Sequence, residues 1–328
     1  MHNRRILVIN PGSTSTKIAV YENTRSVYLN KLVHSYEELK SFPKIIDQLT
    51  YRYNLIVNEL MNEKINLEQI KVVIGRGGLL KPIPSGIYKV NDRMIDDLRI
   101  GIQGEHASNL GGLIAHELKK LIPDALALIA DPVVVDEMND VARVTGHPLF
   151  TRRSIFHALN QKAIARSYAE STHKVYEELN LIIVHLGGGI SVGAHQKGKV
   201  IDVNQALNGE GPMSPERSGT LPIGELVDVC FSGKYDRETI QKMINGEGGY
   251  VAYFGTNEAY KIELQAKQGD EKAKHLQEAM GYQVAKYIGS LAAVLKGNVD
   301  AILLTGGLAH NKDLTNYISE HVSFLAPI

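Results

Sequence analysis

The segment Ile6–Tyr21 limits what this chain can fold into more than any other, because its pattern occurs twice. It reads as a buried apolar strand, a turn of Gly, Ser and Thr, and a second strand running back. Leu181–Ala194 repeats that order, with Gly187, Gly188 and Gly189 in the turn. Each copy leads through polar residues into a further short strand, Ser26–Leu29 in the first and Lys199–Asp202 in the second. An internal repeat on this scale implies two related lobes facing each other.

Between the repeats, apolar spacing predicts helices over Tyr36–Met61, Val90–Arg99, Ser108–Leu121, Asn160–Leu179 and Lys272–Leu295. Short strands are predicted at Lys71–Ile74, Ala125–Ile129 and Ala301–Thr305, so the chain is of the α/β class. Its 328 residues suit two packed domains. Gly146, His147 and Pro148 interrupt the pattern, which places the expected lobes at 1–150 and 151–328. The 36 basic and 36 acidic residues cancel, which argues against a general nucleic-acid or membrane-surface binder and for small molecules and copies of the chain itself as partners. Cys230 is the only cysteine, excluding an intramolecular disulfide or a multi-cysteine metal site, and it is expected to be buried. The apolar run Ile6–Ile9 is far too short for a signal peptide and no stretch has membrane-spanning length, so the expected compartment is the cytoplasm.

Three turns have the composition of phosphate loops. Gly12, Ser13, Thr14, Ser15 and Thr16 with Lys17 offer backbone N–H groups, hydroxyls and a cation. Gly187–Gly189 follows His185, and Gly306–Gly307 ends an apolar strand ahead of a helical segment that begins near Asn311. None matches the Walker pattern or opens a helix as a dinucleotide fingerprint does, so a P-loop ATPase or a nicotinamide enzyme is disfavoured. Together they resemble the superfamily of actin, the sugar kinases and the acetate kinases. That resemblance implies two duplicated ribonuclease H-like lobes with an ATP cleft between them.

Further segments narrow the resemblance. Arg76 lies among glycines after a short strand, and His106 and Asn109 sit in Glu105–Gly112. Asp131 ends an apolar strand, Phe156 and His157 open Phe-His-Ala-Leu-Asn-Gln-Lys, and Arg217 lies in Gly-Glu-Gly-Pro-Met-Ser-Pro-Glu-Arg-Ser-Gly. Singly, each has an ordinary structural reading. In this order, with Asn-Pro-Gly-Ser-Thr-Ser-Thr-Lys at residues 10–17, they resemble the acetokinase (acetate/butyrate kinase) family along nearly the whole chain.

The resemblance implies transfer of the γ-phosphoryl group of ATP, with Mg2+, to the carboxylate of a short-chain fatty acid. Butanoate is the first expectation, with acetate, propionate and isobutyrate as alternatives. From another class, a regulatory ATPase without an acyl acceptor remains open. A short carboxylic acid is ionised at neutral pH, so the reaction needs management of charge and not a strong base. By resemblance, Asn10 (magnesium), Gly12, Ser13, Ser15 and Lys17 serve the metal and phosphates. Arg76 takes the acceptor carboxylate, with His106 and Phe156 in the acceptor pocket. Asp131 is the catalytic acidic residue, and His157 and Arg217 stabilise the transition state. His185, Gly187, Gly188 and Gly189 form the second phosphate loop, and Gly306, Gly307, Leu308 and Ala309 the adenosine turn. Gly188 and Gln161, where acetate kinases have Asn and a second His, favour the butyrate branch, while Glu258 and Tyr260 stand where the family has an Asp and an Arg near the nucleotide. The family is also expected to form dimers or larger assemblies. It continues through a further strand and helix with a magnesium-linked acidic residue, so a chain ending at Ile328 is expected to be less stable and weaker as a kinase.

Overall fold

Strand pairing repeats in the same order in each half of the protein. A computed structural model describes residues 5–122 and 124–328. It divides into two compact units, 1–135 and 136–328. The first holds β1 (Arg5–Pro11), β2 (Ser15–Glu22), β3 (Arg25–Val33), β4 (Ile70–Arg76), β5 (Ile87–Lys89) and β6 (Leu126–Ala130) in the order β3-β2-β1-β4-β6-β5. The first three are antiparallel neighbours, and β1, β4 and β6 run parallel. Leu7, Ile9, Val73, Ala127 and Ile129 are buried along these strands, and the helix Asn109–Leu121 contributes Leu110, Leu113, Ile114 and Leu118 to the buried apolar set.

The second unit holds β7 (Asn180–Leu186), β8 (Ile190–Gln196), β9 (Lys199–Val203) and β10 (Ala301–Thr305), ordered β10-β7-β8-β9. Here too three consecutive strands pair antiparallel and the fourth lies parallel to the first of them. The duplication read from the turns is therefore a duplication of topology. Helix Glu271–Val294 covers this sheet, burying Met280, Val284, Ile288 and Leu291 in one cluster with Ile182, Val184 and Ile302. The last residues run beside β10, where the Ile302 N–H donates to the Pro327 carbonyl at 2.8 Å.

Three expectations need correction. The division falls after Val135 and not near residue 150. Residues beyond it are tied into the second unit: Glu137 accepts from Lys162 Nζ (2.6 Å) and the Val200 N–H (2.9 Å), and the Asn139 N–H donates to the Ile201 carbonyl (2.9 Å). Arg152 reaches back to the Ala142 carbonyl at 2.8 Å and pairs with Asp202 at 2.9 Å. The helix expected over Tyr36–Met61 is broken around Pro43 into Tyr36–Leu39, a 3-10 turn at Ile45–Gln48 and Leu49–Asn62, because proline lacks the N–H and disfavours helix in the residue before it. Cys230 is exposed, on a helix (Ile223–Phe231) that has no buried residue at all.

Candidate active site

Parallel pairing brings three of the expected residues of the first unit to one edge. Ile9 of β1 pairs with Gly75 of β4, and Gly75 and Arg76 pair with Ile129 and Ala130 of β6. Asn10, Arg76 and Asp131 therefore stand at the carboxyl ends of three adjacent strands, each about 5 Å from the next along the hydrogen-bonding direction. Ligands of α/β sheets collect at such ends, where side chains and loops are free of the ladder. Arg76 is half-buried, has no hydrogen-bonding or acidic partner among the described residues, and burial alone lowers its pKa. Asp131 is 5 % exposed and held at a φ of 33°, a left-handed conformation costly for a non-glycine residue. Its Oδ1 accepts from Ser85 Oγ (2.7 Å) and the Gly86 N–H (2.8 Å), fixing the carboxylate in place. Asn109 braces the glycines after Arg76, accepting from the Leu79 N–H at 2.8 Å and donating to the Gly104 carbonyl at 3.0 Å. The His106 Nδ1 accepts from the Ser108 N–H at 3.1 Å, so its neutral ring carries hydrogen on Nε2.

The first loop joins β1 to β2, with Asn10 opposite Lys17 across the pair. Its turn is closed by the Gly12 N–H on the Ser15 carbonyl at 2.7 Å. Behind it lie two residues that the sequence reading missed. Arg52, fully buried on helix Leu49–Asn62, donates to the carbonyls of Gly12 (2.8 Å), Ser13 (3.2 Å) and Ser15 (3.4 Å) and to Thr16 Oγ1 (3.0 Å). His34 Nε2 lies 2.8 Å from the same Thr16 hydroxyl, and burial together with Arg52 pulls its pKa down to about 4.

In the second unit, β7 and β10 are parallel with Thr305 paired to His185, so the second and third loops begin side by side. Gly306, at a φ of 94°, passes so close to the Leu186 carbonyl that an added Cβ would overlap it. A Cβ on Gly189 would overlap the Arg217 guanidinium, which is anchored by Nη1 on the Ala206 carbonyl (2.6 Å) and Nε on Asn245 Oδ1 (3.2 Å). Ser214 Oγ donates to the Gly188 carbonyl at 2.6 Å. His157 stacks on His185, with centroids 3.8 Å apart and planes 10° from parallel, and His185 Nδ1 meets Asn160 Oδ1 at 2.7 Å. Gly188, Gly189, Arg217, His157 and His185 are linked in the second unit by these contacts and by the Ser191 hydroxyl.

A buried chain of hydrogen bonds fixes the proton of His157. The Ser191 carbonyl can only accept, so the Gln161 group 3.1 Å away is its NH2, and that same nitrogen also donates to Ser191 Oγ at 2.9 Å. Gln161 Oε1 then faces His195 Nε2 at 2.9 Å, which must carry hydrogen, leaving His195 Nδ1 to accept from the Tyr176 hydroxyl at 2.7 Å. His195 is fully buried, and burial with the nearby Lys162 cation lowers its pKa to about 3, so it is neutral. Ser191 Oγ accepts from Gln161 and from the His157 N–H (3.4 Å), so its own hydrogen goes to His157 Nδ1 at 2.8 Å. Neutral His157 therefore holds its hydrogen on Nε2. Nothing in the local sequence signals Ser191, which reads as one more small strand residue.

Phe156 is 2 % exposed, buried as a packing residue, and its contact with an acceptor is not visible on the protein surface. Leu308 and Ala309 form the 3-10 turn Gly307–His310, packed against the second core, and Asn311 caps the following helix Lys312–Val322 by accepting from the Leu314 N–H at 3.1 Å. Glu258 pairs with Lys261 at 2.6 Å and Tyr260 is exposed. Among the described residues no three acidic or histidine side chains gather as a cation cage. Mg2+ bound mainly by phosphate oxygens and water needs only one or two protein oxygens. The Asn10 amide, which has no partner among the described residues, and the Asp131 carboxylate fit that requirement.

The two sheets share a four-strand order, β3-β2-β1-β4 in the first and β9-β8-β7-β10 in the second, each with a glycine-containing turn after its first strand. A family model described as the acetokinase family matches residues 141–326. Two proteins of Clostridium acetobutylicum, butyrate kinase 2 and butyrate kinase 1, are 56% and 53% identical to the chain over 324 residues, covering 99% of it and 91% of each relative. An acetate kinase from Porphyromonas gingivalis superposes with a TM-score of 0.80 at 21% identity, covering 98% of this chain and 88% of that one. A propionate kinase from Francisella tularensis subsp. tularensis SCHU S4 does so with 0.76 at 20%, with the same coverage, and these two establish the fold. The chain belongs to the acetokinase family.

Replacing Ser191 by Ala should release His157 Nδ1, mixing the ring tautomers. Long-range 1H–15N spectra of histidine-labelled protein should show His157 as the Nε2–H form in the native chain and a mixture in the variant. A native ring with hydrogen on Nδ1 would contradict the chain of donors.

Proposed function

We propose that this protein is a butyrate kinase, catalysing butanoate + ATP = butanoyl phosphate + ADP. The observation that carries the reading is Arg76, a partly desolvated guanidinium without a partner among the described residues, at the strand ends beside Asn10 and Asp131. A fixed cation in such a place is stabilised by an anionic ligand, and its planar fork matches a carboxylate. The acid arrives ionised, so one carboxylate oxygen attacks the γ-phosphorus while the bond to the ADP oxygen breaks, and no proton moves. Arg217 and the Nε2–H of His157 are assigned to the equatorial oxygens of the moving group, where charge is greatest. The glycine turns of the two units are assigned to the nucleotide phosphates. Magnesium, when bound, would neutralise phosphate charge, and Asn10 and Asp131 are the residues that would hold it.

Butanoate is supported by the two relatives of more than 50% identity, both named butyrate kinases. Two extra methylenes beyond acetate are worth roughly 1.6 kcal/mol when buried, about a tenfold preference. The reading places the enzyme in the cytoplasm, where ATP is supplied, and no helix among the described residues is long and apolar enough to cross a membrane. Self-association belongs to the same reading. Ile223, Val227 and Phe231, four residues apart on a helix with no buried residue, form an apolar stripe that a second copy would cover.

Trapping acyl phosphate as hydroxamate across a panel of short acids, with ATP and magnesium, should give the highest kcat/KM on butanoate. ADP release without hydroxamate would instead identify an ATPase lacking an acyl acceptor. Arg217→Ala should lower kcat by about 10²–10³ with little change in KM for ATP. Arg76→Lys should raise KM for the acid about tenfold or more, the loss of one charge-assisted hydrogen bond. Val227→Glu with Phe231→Glu should dissociate the native assembly in sedimentation experiments, and a native monomer would remove self-association from the reading.

A further inference from the structure

Among the described residues Arg52 is the largest fully buried side chain, and none of them gives it a counter-ion. Its Nε and Nη2 both donate to Gln48 Oε1, at 3.0 and 2.8 Å, and every other partner is a loop carbonyl or the Thr16 hydroxyl. Burying a cation on neutral partners alone is costly, and proteins avoid it unless the charge is used. His34, beside it, stays neutral near pH 7, so the positive charge behind the loop is that of Arg52 alone.

The orientation of the loop follows from those contacts. Arg52 gathers the carbonyls of Gly12, Ser13 and Ser15, and the His34 N–H takes the carbonyl of Thr14 at 2.9 Å. Four successive carbonyls are thereby engaged by the protein. The Ser13 and Thr14 residues are exposed, and their N–H groups have no acceptor among the described residues. Backbone N–H groups left open in a tight turn form an anion-binding concavity.

We propose that Arg52 is a positioning residue of the nucleotide site: its guanidinium orients the first phosphate loop from behind and supplies the buried charge that the terminal phosphates of ATP balance in front. The proposal rests on the kinase reading, since it takes this loop to be a phosphate loop. It predicts that the contribution of Arg52 to affinity grows with the number of phosphates on the ligand, which a purely structural arginine would not produce.

The test is calorimetric binding of AMP, ADP and a non-hydrolysable ATP analogue to the full chain, at fixed magnesium, for the native protein, Arg52→Gln and Arg52→Lys. Arg52→Gln should weaken AMP by no more than about twofold, ADP by roughly tenfold and the ATP analogue by more, as Coulomb attraction through a partly screened medium requires. Arg52→Lys, measured at mildly acidic pH so that the amine keeps its charge, should retain the native ratio of ATP-analogue to AMP affinity even where all three affinities fall. Should Arg52→Gln not fold, the lysine variant answers alone: a collapse of that ratio would overturn the electrostatic role. An equal loss for all three ligands in Arg52→Gln would reduce Arg52 to a brace. Failure of the native chain to bind any of the three would overturn the kinase reading and this proposal with it, whereas nucleotide binding without acyl phosphate formation would remove only the acceptor.

Discussion

Adjacent parallel strands must end on the same side, because the slanted hydrogen bonds of a parallel ladder fix their register. That constraint is what the site depends on. In the first unit it aligns Asn10, Arg76 and Asp131; in the second it sets Gly306 beside Leu186, next to the Gly187–Gly189 turn, through the pairing of His185 with Thr305. Each set is distributed over distant parts of the sequence, yet none of its members can drift without unpairing a strand. The antiparallel partners β2 and β8 turn back immediately, so the loops at these ends stay short and tightly closed.

Charge is handled in an uncommon way around this framework. Arg52 and Arg76 are desolvated with no carboxylate partner among the described residues, whereas Arg143 and Arg152 are paired with Asp136, Asp202 and Glu210. The unpaired cations sit where the proposed ligands are anionic, and the paired ones where the chain needs to be held together. The histidines His34 and His195 are kept neutral by burial, so they act as hydrogen-bond relays without adding charge.

The sequence was most informative where backbone chemistry is tied to residue type. Glycine turns between apolar strands, the duplicated hairpin and the ends of the long helix Glu271–Val294 were legible because glycine, β-branched runs and apolar spacing each restrict conformation directly. The residues that hold the site from behind were not. Arg52 lies in Tyr-Arg-Tyr-Asn-Leu-Ile-Val, where an arginine among helix formers reads as a solvated side chain, and its burial depends on a loop forty residues earlier. Ser191 and Gln161 matter through a hydrogen-bond direction that only three-dimensional placement defines. The attachment of residues 136–150 to the second unit likewise rests on long-range contacts such as that of Glu137 with Lys162, to which no local pattern points.

Gly189 and Arg217 show how two loops distant in the chain can be coupled through the space between them. The guanidinium occupies the space that any side chain at position 189 would need, so the smallest substitution there displaces the arginine. A shorter residue at 217 would open that space but surrender the fork anchored on Ala206 and Asn245. Glycine at 189 thus sets where the guanidinium can lie, and the two positions are coupled by shape although 28 positions apart in the chain.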